Sequence, residues 1–241
     1  MTVQTFNVFV LCGCTSVITC VRLSRTGDSL YSVGQDTSLK IFSSSSRRLV
    51  RNISMCELVL SSCQLTADEN FIILGSWDNS MYVGSSGSGS GAPFAADADR
   101  PINHSQSSLS YLYSIPYGRV MQTLYAHHDA VSCLKLYQPS GSGAKNGHLV
   151  SGSWDGSLKM WDVSDAGISK APRLECVDHH AEIKCVDLSL DGNIAACGAS
   201  DGYVITYDLR AGAVCSTVQV RRLLSLVVVV AVVVLVGCVL T

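Results

Sequence analysis

The chain has 241 residues, enough for one domain or two small ones with a buried core. Its 17 Lys and Arg against 19 Asp and Glu leave a formal net charge of -2, so no basic field exists for non-specific nucleic-acid binding. An apolar share of 47% excludes a disordered chain, 5 Pro and 20 Gly exclude a collagen-like one, and 11 Cys scattered over this length exclude a small disulfide-stapled domain.

Residues 1–16 precede any repeat. The apolar run 6–11 is too short for a secretory leader, and no Lys or Arg stands before it. The expectation is a chain without such a leader, in which the sequons at Asn52 and Asn103 carry no weight.

From 17 to 220 one plan recurs four times: a Cys-bearing strand, a gap, then an Asp at the foot of a second strand. The first unit runs from Ile18-Thr19-Cys20 to Asp36 and the second from Ser61-Ser62-Cys63 to Asp78. The third runs from Val131-Ser132-Cys133 to Asp155 and the fourth from Ile183-Lys184-Cys185 to Asp201. The Cys-to-Asp distances are 16, 15, 22 and 16, and the Ser/Gly-rich loop 140–147 accounts for the long one.

Positions three and five beyond each Asp then repeat as Leu39 and Ile41, Met81 and Val83, Leu158 and Met160, Val204 and Thr206, all apolar but the last. A period of two is the mark of a half-buried strand. An aromatic follows at position six, as Phe42, Trp161 and Tyr207. Asp78-Asn79, Asp155-Gly156 and Asp201-Gly202 are tight-turn pairs. Each unit therefore reads as an antiparallel meander of about 40–45 residues, which needs stacked neighbours to bury both faces.

The second unit is interrupted. Removing the 29 residues 84–112 places Tyr113 six beyond Asp78 and shortens the spacing from Asp78 to Asp155 from 77 to 48, near the other spacings of 42 and 46. The segment opens Gly84-Ser85-Ser86-Gly87-Ser88-Gly89-Ser90-Gly91, a flexible-linker composition. It reads either as a segment alien to the repeat or as a binding loop.

After 220 the composition changes again. Residues 223–240 hold no charge, and as a helix they would span about 27 Å, short of the roughly 30 Å of bilayer hydrocarbon but matched to a thin membrane. Arg221 and Arg222 stand before them, which by the positive-inside rule keeps the repeats cytosolic. A tail anchor over 221–241 is one reading; read-through sequence prone to aggregation is the other.

At Gly152-Ser153-Trp154-Asp155-Gly156-Ser157-Leu158-Lys159-Met160-Trp161-Asp162 the chain resembles the WD40 family. The resemblance implies an all-β fold: a partial WD40 β-propeller of about four repeats, followed by the apolar C-terminal stretch as a candidate transmembrane helix. It also implies a structural network of His, Ser or Thr, turn Asp and Trp. On matching positions this is His127 or His128, Ser151, Asp155 and Trp161 in the third unit. Ser32, Asp36 and Phe42 match in the first unit, Asp78 and Tyr113 in the second, and Asp201 and Tyr207 in the fourth. Leu74 and Cys197 depart from the Ser position.

A finer likeness, over Ile18-Thr19-Cys20-Val21-Arg22-Leu23-Ser24, Ser76-Trp77-Asp78-Asn79, Tyr113-Ser114-Ile115, Tyr117-Gly118-Arg119 and His128-Asp129-Ala130-Val131-Ser132, is to the WD-repeat region of BEACH-domain proteins linked to neutral sphingomyelinase activation. It implies a cytoplasmic adaptor between a tumour-necrosis-factor-type receptor and neutral sphingomyelinase, with protein partners and no nucleic acid. A trafficking component anchored by its tail, or a truncated and inactive form, is the alternative.

No Gly-x-Ser-x-Gly elbow and no phosphate-binding loop occur, so the expectation is a protein without catalytic residues or cofactor. Cys12-x-Cys14 and the pairs His127-His128 and His179-His180 are weak metal signals, and the His pairs fall where the family places its structural His. Cys20, Cys63, Cys133 and Cys185 read as one repeat-equivalent core position on separate blades, too far apart to bridge. Trp77 and Trp154 precede the turn Asp as candidate partner anchors, with packing inside the blade as the competing reading. Four units fall short of a closed ring, so the chain reads either as a fragment or truncated isoform or as one that needs a partner to complete the propeller.

Overall fold

The computed structural model describes residues 14, 16–77, 108–139, 147–164 and 167–220. These build four antiparallel sheets in chain order. Blade one holds β1 (Ile18–Leu23), β2 (Ser29–Gly34), β3 (Ser38–Ser43) and β4 (Arg48–Ser54). Blade two holds β5 (Leu60–Leu65), β6 (Phe71–Ser76), β7 (Ser108–Ser114) and β8 (Arg119–His127). In blade three, β9 (Val131–Tyr137), β10 (Gly147–Ser153) and β11 (Leu158–Ser164) are followed by two short pieces, β12 (Gly167–Ile168) and β13 (Leu174–Cys176), both paired with β11. Blade four is β14 (Ile183–Leu188), β15 (Ile194–Ala199), β16 (Tyr203–Asp208) and β17 (Ala213–Gln219).

The blades are copies in register as well as in order. The aromatic of each third strand faces an apolar residue of the second: Leu30 with Phe42, Ile72 with Tyr113, Leu149 with Trp161, Ala195 with Tyr207. All four aromatics are buried. A bulge recurs where each first strand meets the end of the second. It twists the strand locally and re-aims the side chains after it.

First strands pack side by side: β1 on β5, β5 on β9, β9 on β14. Between them lie three apolar clusters, centred on Leu39, Leu60 and Ile72, on Ile73, Val131 and Trp161, and on Val150, Ile183 and Tyr207. Close approach at the third seam depends on Gly152, where a Cβ would come within 2.7 Å of Ile183 Cγ2. No comparable packing joins β14 to β1 among the described residues. The fold is thus an all-β partial propeller of four blades.

The interruption in blade two lies elsewhere than the spacing suggests. Residues 108–112, counted in the linker 84–112, form most of β7, and Leu112 is buried. Ser110, Tyr111 and Leu112 pair with Gly75, Leu74 and Ile73, the partners that Met81, Tyr82 and Val83 were expected to take. Those three residues, Asp78 and 84–107 lie outside the described residues, as do 1–13 and 221–241. The expected C-terminal helix therefore falls outside them too. Among the described residues no helix is long and apolar enough to cross a membrane.

Candidate interaction site

Blade three carries a continuous polar relay beneath its rim. Trp161 Nε1–H donates to Ser151 Oγ (2.9 Å), and Ser151 Oγ lies 2.7 Å from His127 Nε2. His127 Nδ1 is 2.7 Å from Ser157 Oγ, which donates to Asp155 Oδ1 at 2.6 Å. Each hydroxyl passes one proton along, so the relay closes with a neutral His127 protonated at Nδ1. Burial pushes the His127 pKa down, partly offset by Asp155. Burial would raise the Asp155 carboxyl, yet hydrogen bonds from His127 and Ser157 outweigh it and hold the group well below the carboxylate range.

His127 is the network histidine. His128 is exposed, and only its backbone N–H takes part, donating to Asp155 Oδ2 at 2.8 Å. Ser157 is a member that the sequence reading missed. A Ser after Asp-Gly reads as an ordinary turn residue, and nothing in one sequence distinguishes a hydroxyl turned inward.

The other blades fill the same places differently. In blade one, Cys14 stands at the His position with its Sγ 3.8 Å from Ser32 Oγ. Lys40 pairs with Asp36, and Ser38 Oγ donates to it at 3.0 Å; together they overcome burial and lower its pKa. Phe42 packs at the Trp position with no polar handle. In blade four, His179 Nε2 lies 3.0 Å from Cys197 Sγ, and Asp201, exposed, accepts the Tyr203 N–H at 2.9 Å. The buried Tyr207 hydroxyl has no hydrogen-bond partner among the described residues. In blade two Leu74 is fully buried where the Ser would stand.

Above the relay, one axial face gathers the loops that leave each second strand. Gln35, Trp77, Trp154 and Ser200 occupy the same place, each N–H bonding the carbonyl just before a first strand (Val17, Val59, Ala130, Glu182). Trp77 and Trp154 meet across the seam of blades two and three, ring centres 4.6 Å apart and tilted 48°. Lys184 of blade four reaches back over the Trp154 ring, its Nζ 4.6 Å from the centre, while also pairing with Glu182. Trp77 Nε1 is buried with no hydrogen-bond partner among the described residues. Both rings are half-buried, so each contributes to packing and to a surface shelf.

The family model for the WD domain, G-beta repeat, matches residues 6–43, 118–162 and 172–208. The chain carries WD40 repeats. A small ribosomal subunit protein RACK1y from rice (Oryza sativa subsp. japonica) is 31% identical over 36% of this chain and 23% of its own length. BEACH domain-containing protein B of Arabidopsis thaliana is 23% identical over 68% of this chain and 6% of its own length. Autophagy-related protein 16 of the same plant is 22% identical over 86% of this chain and 32% of its own length. The chain thus spans less than a third of each of these relatives.

The WD40 register also corrects the cysteine reading. Cys20, Cys133 and Cys185 pair with Val33, Gly152 and Gly198, but in blade two Ser62 faces Gly75. Cys63 is therefore one residue out of step and points across the seam, its Sγ 3.6 Å from Cys20 Sγ. Among the described residues no three His, Cys, Asp or Glu side chains converge as metal ligands.

Proposed function

We propose that this chain is a protein-interaction scaffold whose docking surface is the shelf formed by Trp77, Trp154 and Lys184. The observation that carries this is the pair of half-buried indoles across a blade seam, with the Lys184 cation over one of them. Such a surface offers the exposed parts of two indole rings beside the Lys184–Glu182 ion pair, suited to a peptide with an aliphatic or aromatic anchor flanked by a polar residue. Relatives named for the small ribosomal subunit and for autophagy share the repeats, as expected of a docking element tied to no single chemistry.

The finer reading is an adaptor between the cytoplasmic tail of a tumour-necrosis-factor-type receptor and neutral sphingomyelinase. It rests on the likeness to BEACH-domain proteins, a likeness with which the match to BEACH domain-containing protein B is consistent. The test is a pull-down with the purified receptor tail, using the full chain and the double variant Trp77→Ala/Trp154→Ala. Binding by the parent and a loss of tenfold or more in a folded variant is the expected result. Equal binding by both removes the shelf from the reading, and no binding by the parent removes the receptor.

A second reading is attachment to a membrane with the repeats facing the cytosol, favoured by the uncharged run 223–240 behind Arg221 and Arg222. Flotation of the full chain, against a version ending at Val220, tests it. Membrane association of the full chain alone supports an anchor, and aggregation without flotation overturns it.

A further inference from the structure

The seam between blades one and two holds two thiols that no polar relay uses. Cys20 lies on β1 and is half-buried; Cys63 lies on β5 and is fully buried against Leu39, Leu60 and Leu74. Their sulfurs are 3.6 Å apart, with the Cys63 S–H donating to Cys20 Sγ, and the Cys20 S–H, while it is protonated, donates to the Cys63 carbonyl at 3.9 Å. The one-residue offset of Cys63 creates this juxtaposition. At the other repeat positions Cys133 and Cys185 meet no such partner among the described hydrogen bonds, and burial pushes their thiols up to about 12 and about 11.

We infer that Cys20 and Cys63 form an oxidation site: Cys20 is the peroxide-reactive thiol, Cys63 resolves it, and the resulting disulfide staples blade one to blade two. The hydrogen bond from Cys63, helped by the Arg22 charge and opposed by burial, lowers the Cys20 thiol to about 6. Cys20 is thus the more readily ionised thiol of the pair, while Cys63 keeps its proton because its thiol is pushed up by the neighbouring Cys20 sulfur and by burial.

The thiolate attacks the terminal oxygen of a hydroperoxide; the O–O bond breaks, an S–O bond forms, and the alkoxide or hydroxide leaves with a solvent proton. Cys20 sulfur is oxidised by two electrons and the peroxide is reduced. Cys63 then attacks the Cys20 sulfur, forming the S–S bond and breaking the S–O bond. The Cys63 proton departs with the oxygen as water. A small-molecule thiol reverses the product by exchange.

Rate alone is a poor signature of this site. A lowered pKa raises the thiolate fraction at neutral pH, but the same shift weakens the nucleophile and gives back much of the gain. The identity of the bridge is the decisive observation. The experiment exposes the full chain, expressed in cells, to hydrogen peroxide, blocks free thiols and maps linked peptides by mass spectrometry. A Cys20–Cys63 crosslink that dithiothreitol removes is the expected product. Cys63→Ser should instead leave Cys20 as a sulfenic acid trapped by dimedone, at least several-fold above the parent, and Cys20→Ser should leave Cys63 unlabelled. A crosslink through other cysteines, or unmodified Cys20 in the parent once exposed Cys215 is oxidised, overturns the assignment.

Discussion

The relay of blade three shows what a single hydroxyl contributes. Ser157 both accepts from His127 and donates to Asp155, so Ser157→Ala leaves a buried imidazole N–H facing Asp155 Oδ2 only at 3.4 Å. The expected cost is about 1–3 kcal/mol in denaturant unfolding. Trp161→Phe removes the N–H that Ser151 accepts, leaving Ser151 its bond to His127, and shrinks a buried ring, at about 1 kcal/mol or somewhat more. The relay also fixes the direction of pH dependence. His127 is neutral in the folded chain with its pKa lowered from 6.5, and burial lowers His148 and His179 as well, so the unfolded chain binds more protons in this range. Stability contributed by these groups is present above pH 6.5 and is lost as pH falls below it. A second loss begins below 3.8, where Asp155 and Asp36, both lowered in the fold, would take up protons in the unfolded chain. Unfolding free energy followed from pH 8 to pH 3 should therefore show two descending steps, and His127→Gln should shrink the first. Ser151, Asp155 and Trp161 were legible through the resemblance to the WD40 signature, with Asp155 and the aromatic six beyond it also recurring in the repeat. The choice between His127 and His128 was not, since adjacent residues satisfy the same spacing and only the direction of the side chain separates them.

The strand is the scale at which repeat arithmetic loses precision. Excising 84–112 and excising 79–107 remove the same number of residues, so both restore the spacing to Asp155. The alternatives Asn79-Ser80-Met81-Tyr82-Val83 and Ser108-Leu109-Ser110-Tyr111-Leu112 carry the same strand-forming rhythm, and the pairing of β6 with β7 takes the second. Leu112 decides between them experimentally. As part of a linker its truncation would be neutral; in β7, buried beside Ile73 and Leu124, Leu112→Ala should cost about 2–4 kcal/mol. The offset of Cys63 did leave a trace, since its distance to the turn Asp is 15 where blades one and four have 16, and it is Ser62 that stands 16 away. A turn gives a third case at this scale. Blades three and four place Gly156 and Gly202 at φ 79° and 82°, whereas blade one places Thr37 there at 59°. A β-branched residue in the left-handed region is strained by about 1–2 kcal/mol. Glycine's larger unfolded entropy returns part of that, so Thr37→Gly should stabilise by a few tenths to about 1 kcal/mol, read as a shift in denaturant midpoint at constant slope.

Across the whole molecule the blades are joined by a hydroxyl clasp that the repeat alone does not reveal. The second residue of each first strand donates to the carbonyl of the next blade's first: Thr19 to Leu60, Ser61 to Val131, and Ser132 to Ile183 at 2.6 Å. In blade four the same place holds Lys184, which turns back over Trp154 instead of reaching outward. At the other end of the arc the β1 side is apolar and open, with Val17 60%, Ile18 48%, Val21 41% and Leu23 57% exposed. Such a strip on a first strand presents what the neighbouring blades bury at every internal seam, so it favours association with another sheet. Charge placed there should suppress that association without loosening the blade, because Val21 and Leu23 already face solvent. A chain ending at Val220 is expected to sediment as a concentration-dependent mixture, and Val21→Lys/Leu23→Lys to shift it toward monomer with an unchanged unfolding midpoint. Lys184→Ser, which restores a hydroxyl at the other end and frees the Trp154 ring, should act in the opposite sense and strengthen self-association. Monomeric sedimentation of the parent at every concentration would mean that the β1 strip is inert and that the four blades stand alone.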